Sequence, residues 1–299
     1  MTTKDVLQLI LIGIGMGSVY ALVALGFHIV FQATEVFNFA HGELVVMGGL
    51  ISYSLTVTLH MNLWLAVILV TAVGFLSGLL FERVAIRPID PSAHLAIIIS
   101  TVAMGIVLEN SYLLLWAKEE LPVPAFSARE TMEILGVNIP SQYLWVFGLS
   151  AVAILAVEAF FHFTLTGKAI RATAFNRVAA MGMGINPRRM VAYSFGLSAA
   201  LAMLAGMVMA PLTLAGGAMG PVLTVKGFTA AILGGITRAP SVVMGGFLLG
   251  VVESLTAGLI SSQFRDPIAL SVLLLVFMLQ PKGIFLALWS RRGKQWRSV

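Results

Sequence analysis

The sequence predicts an all-α, polytopic integral membrane protein of about eight or nine transmembrane segments, one of them broken or re-entrant. Three observations carry that prediction. Of 299 residues, 59% are apolar and only 10% charged, against about 25% charged in soluble domains, and mean hydropathy is +0.98. The apolar residues gather into runs near the roughly 20 residues that a bilayer-crossing helix needs. Basic residues, in turn, concentrate in two stretches that hold no acid, as cytoplasmic segments do. Residues 1–299 therefore read as one membrane domain with no room for a separate soluble one. The net charge of +5 belongs to those basic stretches rather than to a nucleic-acid surface. The absence of cysteine excludes disulfides and thiolate metal sites.

In chain order, the first run, Val6–Val30, contains no Asp, Glu, Lys or Arg. It is too long for a signal-peptide core and is read as a retained span. Further spans are expected at Phe39–Leu59, Leu63–Phe81, Leu95–Trp116, Gln142–Phe163, Met190–Ala210, Val242–Ile260 and Ile268–Leu279. The run Gly227–Ile236 is too short to cross alone. With Gly216, Gly217, Gly234 and Gly235 beside it, it predicts a broken element with a hinge or an unwound cavity wall. Gly13/Gly17, Gly74/Gly78 and Gly246/Gly250 repeat at four-residue spacing, which lets helix backbones approach closely. The pentamer Val-Val-Met-Gly-Gly occurs at Val45–Gly49 and again at Val242–Gly246. It marks either a duplication or, more simply, the Val and Gly bias of the chain.

Charge sets the expected sidedness. The loop 165–189 holds Lys168, Arg171, Arg177, Arg188 and Arg189, and the tail holds Lys282, Arg291, Arg292, Lys294 and Arg297. Both are expected in the cytoplasm. The loop 117–141, richer in Glu and Pro, then lies outside, and parity puts the N-terminus outside as well. Along the cytoplasmic loop, Ala169, Ala172, Phe175, Ala179 and Met183 follow helical three- and four-residue steps. Such an apolar stripe either lies on the membrane or docks a soluble partner.

Ionisable groups inside apolar runs cost about 2.5–3.5 kcal/mol each at a helix centre and so need a partner, a cavity or the interface. Four qualify: Glu43, Glu109, Glu158 and Glu253. Glu158 sits close to the basic loop, where the headgroups can solvate it. Glu253 has Ser254 and Thr256 as neighbours for bonding within the bundle. Asn38, His41 and Glu43 gather where a span begins, with Gly42 permitting a bend. These three and Glu109 are the candidate pathway residues. His41-Gly42-Glu43 has the H-x-E spacing of zinc deaminases, but no cysteine completes that site, and one His–Glu pair is too few ligands for a catalytic zinc. No phosphate-binding P-loop pattern occurs, so this chain does not hydrolyse ATP through one of its own.

Several separated motifs then resemble one family. Gly17-Ser-Val-Tyr-Ala-Leu-Val-Ala-Leu-Gly26 and Val36-Phe-Asn-Phe-Ala-His-Gly-Glu43 come first. Gly167-Lys-Ala-Ile-Arg-Ala-Thr-Ala-Phe-Asn176 and Met181-Gly-Met-Gly-Ile185 follow. Lys226-Gly-Phe-Thr-Ala-Ala-Ile-Leu-Gly-Gly-Ile236 and Gln280-Pro-Lys-Gly-Ile-Phe285 complete the series. In this order, over essentially the whole chain, they resemble the shorter Liv-type permease subunit of branched-chain amino-acid ABC importers. The resemblance implies a non-enzymatic permease in the bacterial inner membrane that provides half of an alternating-access pathway for branched-chain or other hydrophobic amino acids. It also implies a second permease subunit, two cytoplasmic ATPases that bind ATP–Mg, and an external substrate-binding protein. No cofactor of this chain's own is expected. Within the loop, Lys168, Arg171, Ala172, Phe175, Asn176 and Gly184 would engage the ATPase. Two rivals differ in kind. An ion-coupled secondary transporter of small polar or carboxylate solutes would use Glu43 or Glu109 for coupling. An intramembrane enzyme built on His41 and Glu43 lacks a nucleophile or metal set.

Overall fold

The computed structural model describes residues 3–116, 120–127, 131–134, 136–216, 219–236 and 238–279. Six helices are long and apolar enough to cross a membrane. They are α1 (Thr3–Thr34), α3 (Leu63–Phe81, prolonged by a π-helical turn to Ile86), α4 (His94–Trp116), α5 (Gln142–Phe163), α8 (Pro187–Thr213) and α10 (Ala239–Leu259). The remaining apolar runs form shorter helices: α2 (His41–Tyr53, prolonged by a π-helical turn to Thr58), α9 (Gly220–Gly234) and α11 (Arg265–Leu279). Two amphipathic helices, α6 (Leu165–Phe175) and α7 (Arg177–Gly182), fill the basic loop. A β-hairpin (β1, Thr131–Ile134; β2, Val137–Pro140) lies between α4 and α5.

Two expected spans are redrawn. The run expected from Phe39 begins as a helix only at His41, because residues 35–40 follow a non-helical path. The short run near Gly227 extends back to Gly220, yet 15 residues at 1.5 Å rise reach only about 22 Å, short of the roughly 30 Å core. At its far end Gly235 adopts φ +85°, and the Ile236 amide bonds the Ala231 carbonyl, a left-handed stop that glycine makes without strain. Leu214, φ +63°, marks the break after α8.

The packing is that of an inverted repeat. α1 lies against α10, where Gly17 and Gly250 are so close that a Cβ on Gly250 would strike the Gly17 backbone. α3 lies against α8, with Gly74 and Gly78 facing Ala200 and Phe195 in the same manner. The first helix of each half thus packs on the third helix of the other. α1 and α8 run antiparallel, since Val30 at the end of one and Val191 at the start of the other share a cluster. The shorter helices α2 and α9 occupy equivalent places after α1 and α8. The two Val-Val-Met-Gly-Gly pentamers fall in α2 and α10, which do not correspond, so the repeat of sequence is coincidental.

The core follows from this. The stretches 13–30 of α1 and 190–210 of α8 are largely enclosed, with Tyr20, Leu25, Phe27, Met203 and Met207 at its centre. The outer helices present large aliphatic side chains outward, such as Leu76 on α3 and Leu155 on α5, as a surface solvated by lipid tails does. At one end of the bundle Gln8 donates to the Asn138 carbonyl at 3.0 Å, and Leu121 pairs with Ala215. At the other end lie the starts of α4 and α8 together with α6.

Candidate functional site

The residues around His41 gather where α2 and α9 meet. After α1 the chain turns back into the bundle, and Ala40 reaches Gly105, the midpoint of α4. Asn38 Oδ1 accepts from the Ala40 amide at 3.1 Å, closing the turn that starts α2. His41 is fully buried. Its Nε2 lies 3.1 Å from the Val23 carbonyl, which only accepts, so Nε2 carries the proton, and Nδ1 faces Ser198 Oγ at 3.3 Å. The ring packs on Phe27 with centroids 4.7 Å apart. The imidazole therefore fastens α2 to both α1 and α8.

Gly42 and Glu43 fasten the same helix start to α9. The Gly42 amide donates to Thr224 Oγ1 at 3.0 Å, and that hydroxyl reaches the Gly220 carbonyl at 3.0 Å. A Cβ at residue 42 would collide with the Gly220 carbonyl. Glu43 lies over Gly220, the first residue of α9, and its Oε2 accepts from Tyr112 Oη at 2.5 Å. The carboxylate thus sits at the amino end of two helices, where their peptide dipoles favour negative charge. Glu109 lies one turn along α4 from Gly105, which faces the Glu43 side chain. Asn38, His41, Glu43 and Glu109 are thereby brought to one neighbourhood. Asn38, His41 and Glu43 are buried and Glu109 is half-buried.

One buried pair escapes a reading of the sequence. Lys226 Nζ of α9 lies 2.9 Å from Glu253 Oε1 of α10 and 5.7 Å from the centre of the Tyr20 ring. Glu253 is thus bonded within the bundle, but by a lysine; Ser254 instead donates to the Leu9 carbonyl and Thr256 to that of Val252. The available signal is a single Lys and a single Glu in adjacent apolar runs. Glu158 lies at the loop end of α5, partly exposed, with His162 Nε2 at 3.3 Å.

The basic loop is two helices where one was expected. Asn176 caps α7 by accepting from the Ala179 amide at 2.9 Å, and its extended backbone ends α6. α6 buries Gly167, Ile170 and Thr173, while Ala172 is half-buried and Lys168, Arg171, Asn176 and Gly184 are exposed. Phe175 is 94% exposed, with Val178, Met181 and Met183 also exposed beside it. A cavity of about 320 Å³ opens next to it, lined by Glu35, Glu82, Arg87, His94, Arg177 and Arg188 among others. Of the predicted hinge residues, Gly216 abuts Glu120, Gly234 packs on the backbone of Ser241 and Val242, and Gly235 ends α9. Gly217 lies outside the described residues, as does the Gln280–Phe285 motif. Among the described residues no three His, Asp or Glu side chains cluster as a metal site would require.

Comparison with known proteins places this arrangement. The profile of the family described as branched-chain amino acid transport system / permease component matches residues 9–280. The high-affinity branched-chain amino acid transport system permease protein LivH of Salmonella typhimurium is 31% identical, covering 93% of this chain and 94% of its own length. LivH of Escherichia coli has the same identity and coverage. BraD of Pseudomonas aeruginosa, with the same description, is 31% identical over 93% of this chain and 95% of its own. No solved structure matches the chain.

Proposed function

The chain belongs to the permease-component family of branched-chain amino-acid transport systems, and from that membership we propose how it works. It is a multi-pass permease subunit of an ABC importer and not an enzyme. It pairs with a second permease to enclose a pathway for branched-chain or other hydrophobic amino acids. Two cytoplasmic ATPases bind ATP–Mg, and an external binding protein delivers the substrate. The pathway opens alternately to the two sides.

The observation that carries this reading is the exposed apolar surface on α6 and α7. Large side chains such as Phe175 and Val178, set among Lys168, Arg171 and Arg177, form half of a protein interface: an apolar anchor with a charged rim. In this reading Ala172, Asn176 and Gly184 complete the ATPase contact, Asn176 by holding the angle between the two helices. Because α6 is seated on α1, α5 and α8, a push on the loop reaches the bundle. Asn38, His41 and Glu43 hold the two broken elements at the pathway, and Glu109 stands beside them on α4. Gly216, Gly217, Gly234 and Gly235 bound α9 and let it shift. The loop end of the bundle and the C-terminus are cytoplasmic. The N-terminus, at the end that carries the hairpin, is external.

Affinity purification in mild detergent tests the assembly: a second permease and ATPase chains should co-purify. Purification of the chain alone, together with uptake driven by an ion gradient, would contradict it in favour of a secondary transporter. A tag inserted after Gly182 should be unreachable from outside intact cells, and one beside Gly136 reachable. The reverse pattern would overturn the orientation.

A further inference from the structure

We infer that Phe37, Phe39 and Phe228 form an apolar wall of the translocation pathway in the loop-side half of the membrane and touch the side chain of the transported amino acid. The inference rests on the permease reading above and adds to it the residues that meet the substrate.

The linker 35–40 alternates like a strand. Val36, Asn38 and Ala40 are buried, Phe37 is half-buried against the core, and Glu35 and Phe39 are exposed, Phe39 at 37%. It passes through the membrane interior, because it leads from the end of α1 to Ala40 at the midpoint of α4, beside His41 at the level of Val23 and Gly26. Non-helical backbone at that depth is tolerated only where protein or a water-filled cavity covers it, since lipid tails offer no hydrogen bonds. One side of this linker is covered: the Phe39 amide donates to Thr101 Oγ1 at 3.3 Å, and Thr224 Oγ1 lies 3.5 Å from the Phe39 carbonyl. The other side carries Phe39, which stays open there among the described residues, with half-buried Phe37 and Phe228 at its edge. That side therefore faces the pathway and its partner subunit rather than lipid.

The rings form a continuous series. Phe31 stacks on Phe37 at 4.7 Å, Phe37 meets Phe228 edge-on at 4.7 Å, and Phe228 lies 6.3 Å from Phe39. Phe27, packed on His41, backs the series at 6.2 Å from Phe228. The wall is thus anchored to the α2–α9 junction, and a shift of α9 would move Phe228 against Phe37 and Phe39. Aromatic faces offer apolar contact to an aliphatic side chain and attract an ammonium group, without demanding a fixed hydrogen-bond geometry. The outer face of α5 differs: Val152 is 64% exposed on an unbroken helix whose backbone satisfies itself.

The chain has no cysteine, so it adds no background of its own to a single introduced cysteine, and the complex carrying the wild-type chain gives that of its partners. In the assembled complex, Phe39→Cys should react with a charged, water-soluble methanethiosulfonate at least about tenfold faster than Val152→Cys. Saturation with leucine-loaded binding protein should slow that reaction. Equal, slow reaction at both positions would overturn the inference. Where Phe39→Cys does not assemble, Phe228→Cys carries the same comparison. Phe39→Leu and Phe228→Leu keep an apolar side chain, and each should change the ratio of leucine to alanine uptake several-fold. An unchanged ratio in both would remove the substrate contact. Failure of the wild-type complex to import any aliphatic amino acid would sink the substrate assignment itself, while the cysteine rates still decide whether the wall is wet.

Discussion

At the junction of α2 and α9, His41, Gly42 and Glu43 each bond or pack against groups of the same chain, whereas on α6 and α7 Phe175, Val178 and Met183 stand exposed. The two regions lie in one protein under the same selection for low exposure of apolar surface, so their difference has a cause. The junction is a finished structure. Its polar groups are buried because broken helices within a membrane must satisfy their free amides internally. In the proposed reading the loop is an unfinished one, whose exposed apolar residues await a partner that covers them. Substitutions at the junction should therefore destabilise the isolated chain. Substitutions at the loop should leave the chain intact and weaken the complex.

The largest expected effect belongs to the buried ion pair that ties α9 to α10. Glu253→Leu leaves the Lys226 ammonium without its carboxylate, at a cost of about 3–5 kcal/mol. Combining it with Lys226→Met should recover most of that loss, because two apolar residues of similar volume need no partner. Thermal unfolding in detergent checks both, and a double variant as unstable as the single one would mean that the pair is not the coupled unit described here. Gly42→Ala comes next. Its Cβ meets the backbone carbonyl of Gly220, which cannot swing aside, so about 1–3 kcal/mol of overpacking is expected in the same assay. Wild-type stability would mean that α2 and α9 do not touch at that point.

Phe175→Ala sharpens the other side of the comparison. Stability of the isolated chain should change by less than about 0.5 kcal/mol, as at an exposed site. Binding of the ATPases should weaken by more than about 1 kcal/mol, as for a large apolar interface anchor. Sedimentation or pull-down of the assembled complex measures the second effect. A Phe175→Ala chain that melts early yet holds its ATPases would reverse the assignment. Glu43→Gln is the mildest of the junction changes, since the amide oxygen still accepts from Tyr112. Uptake should nevertheless fall in the intact complex if the carboxylate shapes the pathway, and unchanged uptake would leave Glu43 a fastening residue only.

Which features are legible in the sequence depends on the physical signal behind each. Long spans are visible because an apolar run of about 20 residues rarely arises except in a helix that crosses a membrane. The expected span Gln142–Phe163 coincides with α5 at both ends. The path of residues 35–40 is not visible, because hydropathy reports burial and not backbone direction, and most of Val36 to Ala40 is as apolar as a spanning helix. The Lys226–Glu253 pair joins residues 27 positions apart, and only the close approach of α9 and α10 brings them together. The split between α6 and α7 has a local signal in Asn176, a strong N-cap residue, which the helical stripe on either side of it masks. Asn38, His41 and Glu43 stand out by polarity, but only the tertiary structure gives the partners through which they fasten α2 to α1, α8 and α9.

In the proposed reading this chain moves amino acids on power supplied by other chains through the α6–α7 loop. Leucine uptake into vesicles holding the assembled complex, with binding protein outside and ATP inside, tests it most directly. Uptake should require ATP, persist when ionophores collapse the ion gradients, and drop with Phe175→Ala while leucine capture by the binding protein stays unchanged. Uptake by this chain without ATPases, abolished by the ionophores and indifferent to Phe175→Ala, would contradict the account.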